Sequence, residues 1–229
     1  VSGGRPLRYS SVRQRGDVRK WKDKLIDVPA FVLGNGPSLN DEDVASLSSY
    51  FTIGINRSFK KLDSTILMWQ DLGLWYTERH EVVETKAIKF CTAVGDPENR
   101  FAHFRLEAGP FALPQSVDVL HGHGASGPLA IQLAYILGCN PIIILGSDCK
   151  HRGSDTDFYG VNRFHSPNTM PQCVAGLQWA RTEVHDKGIR KIISCSDNDY
   201  FERKPLAEVV ASLDQKHKQS REYWNQFLV

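Results

Sequence analysis

The sequence predicts an α/β protein: a single Rossmann-like domain with a mostly parallel sheet and helices on both faces. Three observations lead there. Short apolar runs alternate with segments of helical spacing, and each run stops abruptly at a small, amide or acidic residue. The first run, Phe31-Val32-Leu33, passes straight into the turn Gly34-Asn35-Gly36-Pro37-Ser38. Strands buried on both faces read as continuous apolar runs, as these do, and in such sheets ligands gather at the carboxyl ends of the strands.

Taken in order, Pro29–Leu33 is the first strand, and its glycine turn leads through the acidic segment Asn40–Asp43 into a helix-like pattern from Val44. Phe51–Ile55 and Ser64–Trp69 are further strands, ended by Asn56-Arg57-Ser58 and Gln70-Asp71. Leu72–Glu84 has helical spacing, and Ala87–Phe90 reads as a fourth strand. Cys91–Gln115, broken by Gly95, Pro97, Gly109, Pro110 and Pro114, has no clean period and reads as loops with short strands. Ser126 is the expected N-cap of a helix with Pro128 in its first turn, ending at Gly138. Pro141–Leu145 is a fully buried strand ended by Gly146-Ser147-Asp148. A long polar loop, 149–171, precedes a helix over Pro171–Lys187, a last strand over Arg190–Cys195 and a short helix over Pro205–Leu213.

With 229 residues, 41% hydrophobic and 24% charged, the chain is an ordinary globular one, and its net charge of +2 says little by itself. The charge is unevenly spread. Arg5, Arg8, Arg13, Arg15, Arg19, Lys20, Lys22 and Lys24 face only Asp17 and Asp23. Residues 1–28 therefore read as a basic N-terminal arm, either a solvated tail or a contact surface for a polyanion such as nucleic acid. Residues 29–213 form the expected catalytic domain and 214–229 a C-terminal tail. The five cysteines are scattered without ligand spacing, which suits reduced thiols and a cytoplasmic location. No membrane span or signal peptide is expected. Because the first residue is Val rather than Met, the chain is expected to be trimmed or cut from a longer polypeptide, with residues 1–4 as linker.

The strand ends and the helix start at Ser126-Gly127 offer backbone N–H groups and a helix dipole, an arrangement suited to phosphate. The turn is not the dinucleotide fingerprint, because Leu39 stands where a third glycine is needed. Of the eight histidines, His121, His123, His151 and His165 fall in loops expected to face the site, and spacing alone does not separate them as bases. Lys150 or Arg152 would offset charge on a leaving phosphate. His121-Gly122-His123 lacks further ligands at sensible spacing, and no resident metal is expected. Asp71 and Asp148, both at strand ends, would hold Mg²⁺ only if the reaction were pyrophosphoryl transfer.

Four blocks in this order, Gly34–Leu39, Asn56, Ser126-Gly127 with Gly146-Ser147-Asp148, and Phe164-His165-Ser166-Pro167-Asn168-Thr169, resemble the bacterial sialyltransferases that use CMP-sialic acid and related tailed-phage proteins. More loosely they resemble 6-hydroxymethylpterin diphosphokinases and motility accessory factors. The resemblance spans roughly residues 30 to 200, apart from an unmatched middle around 80 to 120. It implies a nucleotide-sugar glycosyltransferase, CMP-sugars favoured, with a domain that binds the donor through Gly34, Asn35, Gly36, Ser38, Asn56, Gln70, Asp71, Ser126, Gly127, Gly146 and Tyr159. Asn35 and Asn56 match positions that hold phosphate and ribose, Gln70 one that reads cytosine, and His165 the general base, with Lys150 and Asp148 beside it in the catalytic group. Departures leave the sugar open. Lys150 stands where the family has tyrosine, Tyr159 is the nearest match to a second tyrosine, and Ala125-Ser126 replaces Thr-Ser. The phage likeness and the basic arm Arg5–Lys24 together suggest a phage-encoded enzyme acting in the host cytoplasm, with a modified base in DNA as acceptor. The alternatives are a Mg-dependent diphosphokinase and a nucleotide-binding module without catalysis.

Overall fold

A seven-stranded parallel sheet forms the centre of the computed structural model, which describes residues 17–122, 124–162 and 169–228. In chain order the elements are β1 (Ala30–Leu33), β2 (Phe51–Ile55), β3 (Ile66–Trp69), α1 (Leu72–Glu84), β4 (Ile88–Cys91), β5 (Ala102–His103), β6 (Arg105–Glu107) and β7 (Val119–His121). They continue with α2 (Ser126–Ile136), β8 (Ile142–Leu145), α3 (Thr169–Trp179), β9 (Ile192–Ser194), α4 (Leu206–Ser212) and α5 (Arg221–Asn225). The sheet order is β5-β4-β3-β2-β1-β8-β9, and every pairing in it is parallel. From β1 the chain winds outward through β2 to β5, then crosses back to lay β8 on the other side. The topological switch point therefore lies between β1 and β8.

Alternation along each strand divides the core. Ala30 and Val32 of β1 join α2 residues such as Leu129 and Leu133 on one face, whereas Phe31 and Leu33 meet Leu39, Leu47, Leu206 and Val209 on the other. A third cluster packs Trp75 and Leu74 of α1 on Leu67 and Trp69 of β3. Both faces are thus covered, which is why the strands read as unbroken apolar runs.

Local structure departs from the sequence reading in places. The segment after the glycine turn forms two short 3₁₀ turns, Pro37–Asp41 and Val44–Leu47, rather than one helix. Between them Glu42 is extended, its carboxylate drawn to Arg203 (2.8 Å) and to the Leu206 N–H (3.3 Å). In the irregular middle, β6 and β7 make a small parallel pair of their own. The predicted helix over 171–187 already covers Thr169, the first described residue after 162, and its last turns, Ala180–His185, widen to π geometry.

Both ends of the described chain belong to the packed body rather than to an arm and a tail. Trp21 and Leu25 are buried, with Trp21 tilted on Phe90 (5.4 Å between ring centroids). The Trp21 indole N–H donates to the Leu228 carbonyl, and Trp224 packs edge-on against Phe51 (6.1 Å). Arg221 pairs with Asp63 at 2.7 Å, holding α5 to the body. The reason is that large apolar side chains on each segment outweigh the charges that make the N-terminal one look solvated. Of the basic residues of the expected arm, Arg5, Arg8, Arg13 and Arg15 lie outside the described residues. No helix among the described residues is long and apolar enough to cross a membrane.

Replacing Trp224 with Ala should lower the unfolding free energy by about 3 kcal/mol in urea denaturation, because a nearly fully buried aromatic is lost. A change below about 1 kcal/mol would mean that the C-terminal segment is not part of the folding unit.

Candidate functional site

At the switch point the carboxyl ends of β1 and β8 part, and an open cleft lies over them. Its floor is the glycine turn. Gly34 N–H donates to the Leu145 carbonyl (2.7 Å), Gly36 N–H to the Gly146 carbonyl (2.8 Å) and Ser38 N–H to Asp148 Oδ2 (2.8 Å). Ser38 Oγ donates to Asp148 Oδ1. The turn is thereby joined to the end of β8, and only glycine permits it. A Cβ on Gly36 would lie 2.6 Å from Asp148 Oδ2, and Gly146 takes a left-handed φ of 59°.

Those bonds alter the expected chemistry. The N–H groups of Gly34, Gly36 and Ser38 are used within the protein and are not a phosphate cradle. What this wall offers instead is amide oxygen. Asn35 Oδ1 and Asn56 Oδ1 are both buried and without a hydrogen-bond partner among the described residues, and both side chains line the cleft. Asn56 sits at φ 48°, a left-handed conformation that asparagine tolerates better than other side chains, at a cost of about 1 kcal/mol.

Opposite this wall stands the N-terminus of α2. Its N-cap is Ala125, not the expected Ser126, and no side chain caps it. With Ala125 extended, Ser126 becomes the first helical residue, and its hydroxyl accepts from Gln70 Nε2 (3.1 Å). Among the described residues no side chain caps the first-turn N–H groups of Ser126 and Gly127, an arrangement of the kind that suits an anion. Gln70 does not line the cleft itself but supports Ser126 from beneath. Asp71 lines the cleft while capping α1 through Gly73 N–H (2.9 Å).

The third wall comes from the loop after β8, which closes onto the turn through a bond from Phe158 N–H to the Asn35 carbonyl (2.6 Å). Arg57, missed in the sequence reading, lies largely buried on this side. It donates to Glu78 (2.9 Å) and to the Tyr159 hydroxyl (3.2 Å), with its guanidinium 5.0 Å from the Tyr159 ring centre. Burial, with Asp157 nearby, pushes the Tyr159 phenol up to about 12 even though Arg57 opposes the rise. Its position directly after Asn56 was the available signal for Arg57, since strand-end residues share the ligand side. Lys150 reaches the mouth of the cleft but is paired with Asp197 (2.9 Å) and Asp199 (3.3 Å). Arg152, the other cation expected there, is held in a two-pronged pair by Asp41 (2.9 and 2.8 Å) and does not line the cleft.

The other expected residues divide clearly. Gly34, Asn35, Gly36, Asn56, Asp71, Ser126, Gly127, Gly146, Asp148, Lys150 and Tyr159 line one cleft. Ser38 is buried behind it as the partner of Asp148. His165 and His123 lie outside the described residues. His121 is on β7, paired with Glu107 (3.3 Å), and His151 is exposed; neither lines the cleft. Cys149 and Cys173, not singled out from the sequence, do, and a hydrogen bond between them raises the Cys149 pKa and lowers that of Cys173.

Fold and cleft define the class: a Rossmann-like α/β protein with a cleft of mixed polar and apolar lining at the sheet's switch point. Among solved structures the chain is similar to the sialyltransferase CstII from Campylobacter jejuni in complex with a substrate analogue, cytidine-5'-monophosphate. That match has 14% identity and a TM-score of 0.49, covering 79% of this chain and 86% of that one. It is also similar to a Tyr-to-Phe variant of sialyltransferase Cst-II in complex with CMP, with 15% identity and a TM-score of 0.42, covering 73% and 80%. No protein-family model and no curated protein matches the sequence.

Asp148 is 5% exposed, and burial holds its carboxyl above the usual range despite bonds from Ser38 and Asp197 that pull it down. A raised pKa in the folded state means that the folded protein binds the proton more tightly than the unfolded chain. Its contribution is then favourable below the unfolded value of 3.8 and is lost as pH rises through the folded pKa. Asp148→Asn removes that titration. The stability of the variant relative to wild type should therefore increase as pH rises above 3.8, measured by urea denaturation across the acid range. A pH-independent difference would contradict the raised pKa.

Proposed function

We propose that this chain is a glycosyltransferase that moves a sugar from a nucleotide-activated donor, a CMP-sugar by preference, to an acceptor hydroxyl. The observation that carries the reading is the pair of buried amide oxygens, Asn35 Oδ1 and Asn56 Oδ1, which have no partner among the described residues and share one cleft with the uncapped start of α2. Hydroxyl-rich ribose or sugar would donate to the amides, and the donor phosphate would lie at the Ser126 and Gly127 N–H groups. The sequence blocks that resemble CMP-sialic-acid-dependent enzymes contribute these same residues.

In this reading the helix terminus and the neighbouring cations, Arg57 and Lys150, stabilise charge growing on the departing nucleotide phosphate. The glycosidic C–O bond to phosphate breaks while the acceptor oxygen bonds to the anomeric carbon from the opposite face, with inversion. His165 takes the acceptor's proton. Asp148 is the positioning residue that keeps Asn35 and the turn in register. The diphosphokinase alternative requires Asp148 to ligate Mg²⁺, and here both of its oxygens already accept hydrogen bonds from Ser38 or the Asp197 N–H. A modified base in DNA as acceptor rests on the cationic residues near the N-terminus.

Calorimetry against CMP, UDP, GDP and ATP is the first test, with CMP expected to bind best; binding of none would remove both the transferase and the kinase readings. Asn35→Ala and Asn56→Ala should each weaken donor binding by about 10-fold, the loss of roughly 1.5 kcal/mol for a hydrogen bond to a buried acceptor. His165→Ala should abolish transfer while leaving CMP affinity unchanged, and EDTA should spare activity; full activity in the variant would eliminate His165 as base. Deleting residues 1–16, which leaves Trp21 in place, should flatten the salt dependence of DNA binding, and an unchanged slope would remove the DNA acceptor.

A further inference from the structure

We propose that Cys91, Asp96 and His103 form a binding site for a zinc-like divalent cation at the β4–β5 edge of the sheet, apart from the cleft. The site is built by register. Cys91 ends β4 and is the Cα partner of His103 on the parallel strand β5, so the two side chains leave the same face of neighbouring strands. Asp96 lies in the connection between them and reaches both. One sulfur, one imidazole nitrogen and one carboxylate oxygen lie within 4.8 Å of one another, the only such group of three potential ligands among the described residues.

Asp96 supplies an independent reason to expect a cation. Its side chain is fully buried, and Oδ2 accepts from the N–H groups of Arg100 (2.5 Å) and Phe101 (2.8 Å) and lies 2.9 Å from His103 Nε2. Oδ1 is also buried yet has no hydrogen-bond partner among the described residues. A buried acceptor left unpaired costs about 1–3 kcal/mol, more when charged, and a bound cation offsets that cost directly. The backbone bonds to Oδ2 meanwhile fix the carboxylate's orientation, as outer contacts do for metal ligands.

The donor set selects the metal. Sulfur, imidazole and carboxylate together suit Zn²⁺ and its neighbours, whereas the thiolate disfavours Mg²⁺ and Ca²⁺. Ligand distances of about 2.0 to 2.3 Å require the three groups to draw in slightly from their present separation. The Cys91 S–H proton would pass to solvent as the sulfur–metal bond forms. Burial and the Asp96 carboxylate raise the Cys91 pKa, so without metal the thiol keeps its proton. His103 also borders a shallow surface pocket with Asp17, Asn99 and Asp118, a route for the ion and a source of water for a fourth position. Bound there, the ion would pin the two-residue edge strand β5 to the sheet.

Titration of the full chain, stripped with EDTA, with Co²⁺ should give a saturable thiolate-to-cobalt charge-transfer band at one equivalent. Cys91→Ser should abolish that band, and His103→Ala, at a half-buried position tolerant of truncation, should weaken binding at least about 10-fold. Zn²⁺ should raise the Tm of the wild type and not that of Cys91→Ser, because an ion that binds only the native state shifts unfolding. No saturable band in the wild type would overturn the site. So would a band that survives Cys91→Ser, which would assign the cobalt to other thiols such as Cys149 and Cys173.

Discussion

The buried carboxylate of Asp148, bonded to both the N–H and the hydroxyl of Ser38, is the contact on which the arrangement of this protein depends. It bridges the two strands that part at the switch point and does so where glycine lets the backbones approach. Ionising a carboxylate in that environment is costly, and the structure offsets the cost with three hydrogen bonds to its oxygens. The consequence is geometric: the N–H groups of the turn face β8, while the side chains of Asn35 and, across the floor, Asn56 face the cleft.

This division separates two tasks that a glycine-rich turn usually performs together. Cohesion between strands falls to the backbone of the turn, whereas the cleft itself is lined by the amide side chains and the N-terminus of α2. That helix is free to act because Ala125 cannot cap it and because Gln70 engages the Ser126 hydroxyl. The fixed cation of the cleft, Arg57, has its charge shared with Glu78 and its plane set by Tyr159, so it is oriented before any ligand arrives. Lys150, at the mouth, is by contrast tied to two exposed carboxylates, and exposed pairs of this kind hold weakly.

The edge of the sheet obeys a different logic. β5 contributes only two residues to the ladder, yet the β4–β5 connection is held by Asp96, by the Trp69 indole on the Gly95 carbonyl (2.8 Å) and by the edge-to-face contacts of Trp69 and Trp75 with Phe101. Short edge strands resist pairing with other chains but need such side-chain support to stay in place. The expected irregular middle of the chain is therefore ordered by long-range contacts that leave no periodic trace.

Much of the molecule was legible in its sequence because its signals are local. β1, β2, β3 and β8 are short apolar-rich runs, α1 and α2 have helical spacing, and glycine or an amide residue marks where these strands end; these signals imply the parallel sheet and the polar ends of its strands. The expected cleft residues were legible for the same reason, since most sit just beyond a strand or at a helix start. Direction was not legible. That Gly36 N–H bonds to Gly146, that Ser38 turns inward to Asp148, that Arg57 rather than Arg152 enters the cleft, and that Trp21 and Trp224 fold onto the body are decided by partners distant in the chain. Sequence spacing sets which residues reach the ligand side of the sheet. Only the tertiary structure, by fixing which donors already have acceptors, decided which of them remain free to bind.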